Sequence, residues 1–298
     1  MPVMTQAASS HLPELDMRQL LDEVALVVLA AGRLVMEVYQ RGFDVGAKLD
    51  ESPVTEADLR AEALITPALQ TLLPGVPVVA EEAAASGLVP APTALGSRFW
   101  LVDPLDGTRE FIHRNGEFTV NVALIEDGHP VLGVVLAPAL GRLYLGANGL
   151  GAFLQLGEDR QSRRPIACRK PPPEGLTVLA SRSHADRAAL DAFLAPYRVA
   201  QFVSAGSSLK LCRLAEGQAD LYPRLGRTME WDIAAGQALL KAAGGRVLDL
   251  QGQPLRHGKP DFENPDFVAL GKDLDLIAEH RAHRRLISPA GPRPSPAA

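Results

Sequence analysis

Two carboxylates three residues apart, Asp103 and Asp106, flank a proline in the run Trp100-Leu101-Val102-Asp103-Pro104-Leu105-Asp106-Gly107-Thr108. The apolar stretch Arg98–Val102 reads as a buried strand that ends abruptly at Asp103 and delivers both acids to a turn. Pro104 stiffens that turn by fixing φ at about −65° and removing a donor. Gly107 permits close approach of a ligand to the backbone, and Thr108 adds a hydroxyl at the end of the turn. Carboxylates and carbonyls gathered on a rigid turn suit a hard, oxygen-seeking cation such as Mg²⁺. Taken alone, Asp-x-x-Asp-Gly is more simply an acid-rich turn after a strand.

Three further acidic clusters weigh against that simpler reading. Glu81-Glu82 follows the short apolar run Val76–Ala80, so its carboxylates also fall at a strand end. Thr55-Glu56-Ala57-Asp58 sets a hydroxyl and an acid at a helix start, where capping would account for them equally well. Glu230-Trp231-Asp232-Ile233-Ala234-Ala235-Gly236 opens an apolar helix, and Asp232 by itself would serve as its N-cap. All four clusters lie at the ends of elements, which makes them harder to dismiss together than singly.

The elements that must position these acids alternate along the chain. Glu14–Gln40 reads as a buried amphipathic helix and Gly42–Pro53 as a loop; a second helix runs from Thr55 to Leu73, with Pro67 expected to kink or break it. Ala83–Ser97, rich in Ala, Pro and Gly, reads as a flexible loop. Phe118–Leu136 alternates and breaks at Asp127-Gly128, a hairpin signal, and further strands are expected near Leu143 and over Ala152–Leu156. The polar, basic, Pro-rich run Glu158–Glu174 is the expected boundary between a domain of residues 1–157 and one of residues 158–298. Beyond it, strands are expected at Leu176–Ala180, Arg198–Val203, Ala219–Leu221, Arg246–Leu250 and Phe267–Ala269. Between them fall helices at Ala185–Pro196, Ser207–Glu216, Asp232–Ala243 (stopped by Gly244-Gly245) and Leu274–Leu286, then a Pro- and Ala-rich tail, Ser288–Ala298, read as disordered. This alternation predicts layered α/β architecture.

Composition narrows the function classes. The 298 residues suffice for roughly two domains, and a hydrophobic fraction of 47% supports a sizeable core. The 30 Lys+Arg against 35 Asp+Glu leave a net charge of −5, which argues against nucleic acid as a partner because phosphate backbones are held by excess Lys and Arg. Net charge does not decide what a local site binds. Cys168 and Cys212 are too few for a zinc cluster or a disulfide framework and read as buried, reduced thiols. Met1–Ser10 lacks the basic region of a signal peptide, and the most apolar stretch, Val24–Gly32, is far short of the about 20 residues of a membrane span. The expected location is the cytoplasm; peripheral attachment to the cytoplasmic face of the inner membrane would leave no mark in the sequence.

From about Leu15 to Leu286 the chain resembles the inositol monophosphatase superfamily of Mg²⁺-dependent, lithium-sensitive phosphomonoesterases. The resemblance rests on Val54-Thr55-Glu56-Ala57-Asp58, Glu81-Glu82, Asp103-Pro104-Leu105-Asp106-Gly107-Thr108 and Trp231-Asp232-Ile233-Ala234-Ala235-Gly236, in this order. Where the inositol branch has Thr-Asn-Phe after the Asp-Gly, this chain has Thr108-Arg109-Glu110-Phe111, then Asn115-Gly116-Glu117-Phe118-Thr119-Val120-Asn121. That pattern is similar to the CysQ branch, the 3′(2′),5′-bisphosphate nucleotidases. The resemblance implies an α/β/α/β/α sandwich and hydrolysis of adenosine 3′,5′-bisphosphate to AMP and phosphate, in recycling a by-product of sulfate assimilation. It implies two or three Mg²⁺ ions held by Glu81, Asp103, Asp106, Asp232 and the carbonyl of Leu105. Thr108 and Asp58, beside Glu81, would orient or activate the attacking water, with no phosphoenzyme. The backbone N–H groups of Gly107 and Thr108 would cradle phosphate beside Asp232. Ser207 and Lys210 resemble a Ser-x-x-Lys substrate contact, and Arg224 and His184 match further nucleotide contacts more loosely. The expected state is a monomer or homodimer.

Other readings stay open on the residues. Inositol monophosphatase activity uses the same scaffold; fructose 1,6-bisphosphatase activity is a weaker candidate. A non-catalytic nucleotide- or metal-sensing homologue is disfavoured by the intact acid set. A Ser/His/Asp hydrolase would need a Gly-x-Ser-x-Gly elbow that the chain lacks. Lys210 and Arg224 would equally suit solvated surface charges, and His184 a structural role. Trp100 and Trp231, each near acids, are expected to pack and fix the acid-bearing turns. Arg109 and Glu110 depart from the inositol pattern, and sequence alone does not place them.

Overall fold

The computed structural model describes residues 16–47, 53–90, 92–180 and 187–275. Helix α1 (Met17–Arg41) starts where the Asp16 carboxylate accepts the N–H groups of Arg18 and Gln19, and it buries a stripe that includes Leu20, Val24, Val28 and Val35. Strands β1 (Val45–Ala47) and β2 (Pro53–Thr55) lead to α2 (Glu56–Leu72), which begins at the expected Thr55 N-cap. Pro67 does not break α2. Pro67 and Ala63 both lie on the exposed side, so the Ala63 carbonyl that Pro67 cannot bond has water for a partner.

Next come β3 (Val78–Ala80), α3 (Glu81–Ala85), β4 (Arg98–Asp106), α4 (Thr108–Ile112), β5 (Thr119–Glu126), β6 (His129–Ala137), β7 (Arg142–Ala147), β8 (Gly151–Leu156) and β9 (Asp159–Ile166). They supply a seven-stranded sheet in the order β3-β4-β5-β6-β7-β8-β9, antiparallel except for β3–β4. Three expectations are corrected here. The loop expected over Gly42–Pro53 contains β1, the segment read as a loop from Ala83 begins inside α3, and the polar run read as a domain boundary from Glu158 contains β9. Strand β9 is an edge strand with Arg160 and Arg164 exposed and Arg163 bonded to Asp22 and Gln155, so it carries none of the apolar alternation by which strands are recognised.

The rest of the chain holds β10 (Leu176–Ala180), α5 (Arg187–Leu194), β11 (Val199–Ser204), α6 (Leu209–Ala215), β12 (Leu221–Arg224), β13 (Thr228–Met229), α7 (Glu230–Ala242), β14 (Arg246–Asp249), β15 (Glu263–Asn264) and β16 (Phe267–Leu270). Five of these strands make a mixed sheet in the order β11-β10-β12-β16-β14. The helix expected over Leu274–Leu286 and the tail from Ser288 lie outside the described residues, apart from the non-helical Leu274 and Asp275.

Three apolar clusters define the layers. Val24 and Ala61 of α1 and α2 pack with Trp100 and Leu132 on one face of the larger sheet. Leu211 and Ala235 of α6 and α7 pack between the sheets, with Val135 on one side and Phe267 on the other. Leu190 and Phe193 of α5 pack with Val178 and Val268 on the far face of the smaller sheet. The result is the expected α/β/α/β/α sandwich, and α7 lies in its middle layer. Among the described residues no helix is long and apolar enough to cross a membrane.

Helix α7 sits unusually close to the larger sheet because glycines face it. A Cβ on Gly133 would lie 2.2 Å from the Ala235 carbonyl oxygen, and one on Gly146 would lie 2.6 Å from Leu239 Cα. Both obstacles are backbone, so no side-chain rotation relieves them. Gly133→Ala is therefore expected to lift α7 and destabilise the fold by about 1–3 kcal/mol. Denaturant unfolding of the variant checks this, and a change within experimental error would refute the close approach.

Candidate active site

The central acids depend on one irregularity in β4. The strand does not stop at Asp103, as the sequence suggests, but continues to Asp106. Against β5, Asp103 pairs with Asn121 and Asp106 with Thr119, so three steps on β4 match two on β5. That extra residue is a β-bulge. In a regular strand, residues three apart point to opposite faces. The bulge restores the parity, leaving Leu105 in the α1–α2 core and both aspartates toward α7. The Leu105 N–H donates to Asp103 Oδ1 at 3.0 Å, which locks the bulge from within.

Helix termini bring the other acids. Asp58 is the third residue of α2, and its Oδ2 accepts from the Thr55 N–H (2.8 Å) and Thr55 Oγ1 (2.7 Å). Its Oδ1 is 3.4 Å from Thr108 Oγ1, which is also 3.3 Å from the Leu105 carbonyl. Asp58 thus closes a capping box and meets the proposed water-orienting hydroxyl. Thr108 is placed by Gly107, whose φ of 91° few other residues adopt. Glu81 is the first residue of α3. Asp232 is the third residue of α7, not its N-cap, and Oδ2 accepts the Met229 N–H at 2.9 Å.

Burial and mutual repulsion hold Asp103, Asp106 and Asp232 above the usual carboxylate range. Burial, then the charges of Glu81, Asp106 and Asp232, raise Asp103 well above it. Asp232 is raised by burial, Asp106 and Glu81 in turn. Asp106 is pushed up to about 6 by burial, against the opposing pull of Lys210 and the Ser208 N–H. An all-oxygen donor set under such repulsion fits a hard divalent cation. Among the described residues no three of these donors already surround one point. Mg²⁺ keeps several waters and takes substrate phosphate oxygens, so it does not require an all-protein cage.

The turn before α6 meets the acids directly, through the Ser208 N–H on Asp106. Ser207 adopts φ 46°, and Lys210 Nζ clamps the turn by donating to the carbonyls of Ser207 (2.7 Å) and Ala205 (3.1 Å). Burial pushes the Lys210 ammonium down to about 8. Arg224 Nη2 donates to the Arg227 carbonyl at 2.9 Å, while its Nε is buried without a hydrogen-bond partner among the described residues. Glu81, Asp106, Gly107, Thr108, Ser207, Lys210, Arg224 and Asp232 all line one cleft of about 610 Å³. Asp103 and Asp58 are buried beside that lining set, and His184 lies outside the described residues. Trp100 is core, as expected, but Trp231 also walls the cleft with Phe262, 6.1 Å away between ring centres. Arg109 and Glu110 line it too.

Several functional contacts escape a reading by motif. The Ser208 N–H bonds Asp106 Oδ2 at 2.5 Å, joining the α6 turn to the β4 bulge. Thr119 Oγ1 and Asn121 Nδ2 reach the same oxygen, each at 3.4 Å, and Ser208 Oγ bonds Asn121 Oδ1 at 2.8 Å. Glu117 accepts the Gly206 N–H at 2.8 Å. Glu62, one turn along α2 from Asp58, accepts the N–H groups of Glu82 and Ala83. Only Glu62 carries a spacing signal, its position four residues after Asp58 on one helix face.

The chain as a whole is similar to known proteins. Residues 16–287 match the model of the inositol monophosphatase family. The chain is 47% identical over 251 residues to the 3′(2′),5′-bisphosphate nucleotidase CysQ of Escherichia coli K12, covering 83% of this chain and 98% of that protein. Among solved structures, CysQ from Bacteroides thetaiotaomicron matches with TM-score 0.70 and 34% identity, over 87% of this chain and 99% of that one. An inositol monophosphatase from Anabaena (Nostoc) sp. PCC 7120 matches with TM-score 0.68 and 26% identity, over 91% and 96% of the two chains.

The cleft's outer wall, Pro260–Phe262, is anchored to α7 by a buried network. Glu230 accepts the N–H groups of Gly258 (2.7 Å) and Lys259 (3.0 Å) and pairs with Lys259 Nζ. Gln237 Nε2 donates to the Leu255 carbonyl, so its Oε1 accepts from His257 Nε2 at 2.9 Å. Burial, followed by the Lys259 and His129 charges, pushes His257 down from 6.5 to about 3. In that window the unfolded chain binds the proton and the folded chain does not. Stability relative to a His257→Gln variant should therefore fall as pH drops below 6.5 and level off near 3, with a slope of up to about 1.4 kcal/mol per pH unit. Parallel stability–pH curves for the two proteins would contradict a neutral buried His257.

Proposed function

The chain belongs to the inositol monophosphatase family, and from that premise we propose that it is a Mg²⁺-dependent 3′(2′),5′-bisphosphate nucleotidase that converts adenosine 3′,5′-bisphosphate to AMP and phosphate. The observation that supports the reading is a single cleft that carries both kinds of charge. Acids that suit Mg²⁺ line it together with Lys210 and Arg224, whose Nε has no hydrogen-bond partner among the described residues. A substrate with two phosphates has a use for both. Sulfate assimilation supplies such a nucleotide, and the cytoplasm and a monomeric or homodimeric state belong to the same proposal.

Glu81, Asp103, Asp106, Asp232 and the Leu105 carbonyl would hold two or three Mg²⁺ ions. Bound there, Mg²⁺ lowers the pKa of water and offsets the charge of the phosphate. The chain's own part is placement. Thr55 fixes one oxygen of Asp58, and the other faces Thr108 Oγ1. When Thr108 gives its hydrogen to Asp58, its lone pairs can accept one from water and hold that water in line. The 3.4 Å separation is long for such a bond, and catalytic hydrogen bonds commonly tighten only around substrate. Gly107 and Thr108 N–H groups would receive phosphate oxygens. Ser207, Lys210 and Arg224 would take the second phosphate, the guanidinium through Nε; His184 is retained as a nucleotide contact.

Removing one central acid tests the metal assignment. Asp106→Asn keeps the size of the side chain and should lower kcat at saturating Mg²⁺ by more than the ~10–100-fold typical of residues that only support metal ligands. Near-normal kcat in a folded variant would remove Asp106 from the site.

A phosphate-release panel tests the substrate. It compares adenosine 3′,5′-bisphosphate, its 2′,5′ isomer, the sulfated nucleotide, inositol 1-phosphate and fructose 1,6-bisphosphate, with and without Mg²⁺ and Li⁺. Adenosine 3′,5′-bisphosphate should give the highest kcat/KM, and a preference for inositol 1-phosphate would favour the family's other activity. Lys210→Ala should raise KM for the bisphosphate far more than for a monophosphate. Equal effects on both would reduce Lys210 to the clamp on its own turn.

A further inference from the structure

We propose that Glu62 is a positioning residue for Glu81: its carboxylate holds the first turn of α3 and so sets Glu81 in register with Asp58. The inference rests on the reading of Glu81 as a Mg²⁺ ligand.

Helix α3 has five residues, too few to hold its own shape without tertiary support. Its N-cap, Ala80, offers no side-chain acceptor. The missing cap comes from another helix. Glu62 Oε2 accepts the Glu82 N–H at 2.8 Å, and Oε1 accepts the Ala83 N–H at 2.9 Å. Both oxygens of one planar group are thus committed to two successive amides, which fixes the angle of the turn as well as its position. Glu81 immediately precedes the amides so held.

The donor of this cap is itself anchored. Glu62 follows Asp58 by four residues on α2, so the two carboxylates share a face of one rigid helix. Asp58 is fixed at the helix start by Thr55 and faces Thr108. One helix therefore sets two separations: Asp58 to the hydroxyl that orients water, and, through Glu62, Asp58 to Glu81. On the other side of α3, Glu82 points into the protein, 6% exposed, while Glu81 lines the cleft. A tilt of α3 would carry Glu81 out of line with the bulge acids, while Lys210 on α6 and Arg224 on β12 keep their own supports.

A through-space charge effect and a positioning effect separate cleanly. Glu62→Gln and Glu62→Ala remove the same charge, but Gln keeps one acceptor for the α3 amides and Ala keeps none. In the full-length protein, calorimetric Mg²⁺ titration, kcat, KM and Tm are measured for both variants and for Glu81→Gln. Positioning predicts that Glu62→Ala weakens Mg²⁺ binding by about 10-fold or more and lowers kcat, with KM for adenosine 3′,5′-bisphosphate at saturating Mg²⁺ changed by no more than about twofold. Glu62→Gln should fall between Ala and wild type. If Glu62→Ala does not fold, Glu62→Asp, which keeps the charge but shortens its reach to the α3 amides, takes its place: a loss of Mg²⁺ affinity in folded Glu62→Asp supports the proposal and its absence overturns it. Mg²⁺ affinity and kcat unchanged in folded Glu62→Ala, or equal losses in Ala and Gln, overturn the proposal. If Glu81→Gln binds Mg²⁺ like wild type, the metal reading of Glu81 fails instead; if Glu81→Gln loses Mg²⁺ and Glu62→Ala does not, only the positioning role fails.

Discussion

One extra residue in β4 is the constraint on which the site depends. Without the bulge between Asp103 and Asp106, strand alternation would send one of these carboxylates into the apolar layer of Val24, Ala61 and Trp100. With it, Trp100, Val102 and Leu105 stay in that layer while both acids face α7. Pro104 suits the position because it has no N–H to give to the interrupted ladder. The Asp103 side chain supplies the acceptor that the Leu105 N–H would otherwise lack. The same carboxylate therefore shapes the backbone and stands among the acids proposed to hold Mg²⁺, so the motif Asp-Pro-Leu-Asp-Gly is at once a folding instruction and a proposed donor set.

A second consequence is that the middle of the molecule carries charge that the fold alone does not neutralise. Asp103, Asp106 and Asp232 are all shifted toward protonation by burial and by one another. The compensation supplied is local and partial: the Ser208 N–H on Asp106, the Met229 N–H on Asp232, the Leu105 N–H on Asp103. Lys210 pulls on Asp106, but its ammonium is bonded to two carbonyls of the α6 turn. The Ser208–Asp106 bond also links the larger sheet to the turn before α6. Anything that moves Asp106 moves the turn that presents Ser207 and Lys210, so the proposed cation and substrate sites share one mechanical element.

The sequence made the acids legible because each sits where a pattern ends: Asp103 after an apolar strand, Asp58 three residues into a capped helix, Asp232 at the head of an apolar helix. It also made the sandwich legible, through strands and helices that alternate with clear apolar periods. What it hid follows from the same logic. The bulge hid because the strand's apolar run stops at Asp103 while its backbone pairing does not. Strand β9 hid because an exposed edge strand reads as a polar loop. Helix α3 hid because its cap lies in Glu62, 20 and 21 residues from the amides it binds, and no local rule connects them. Thr119 and Asn121 hid because they reach Asp106 only through the pairing of β4 with β5, and Ser208 because the α6 turn meets Asp106 only when it packs against the larger sheet.

The net charge of −5 takes on a different meaning in this light. It argues against a polyanion lying along the surface, yet part of the acid excess lines a cleft that Lys210 and Arg224 line as well. These cations offset the acids only in part: Lys210 pulls on Asp106 and Arg224 on Asp232, yet both carboxyls stay raised, and Arg224 Nε still lacks a partner among the described residues. A ligand that satisfies acids and guanidinium alike must be anionic at two points: at the acids, where divalent cations reverse the local sign, and at the guanidinium, where no cation is needed. A monophosphate meets only one of these conditions. A small bisphosphate meets both, which is why the arrangement of charge, more than the total, selects the class of substrate.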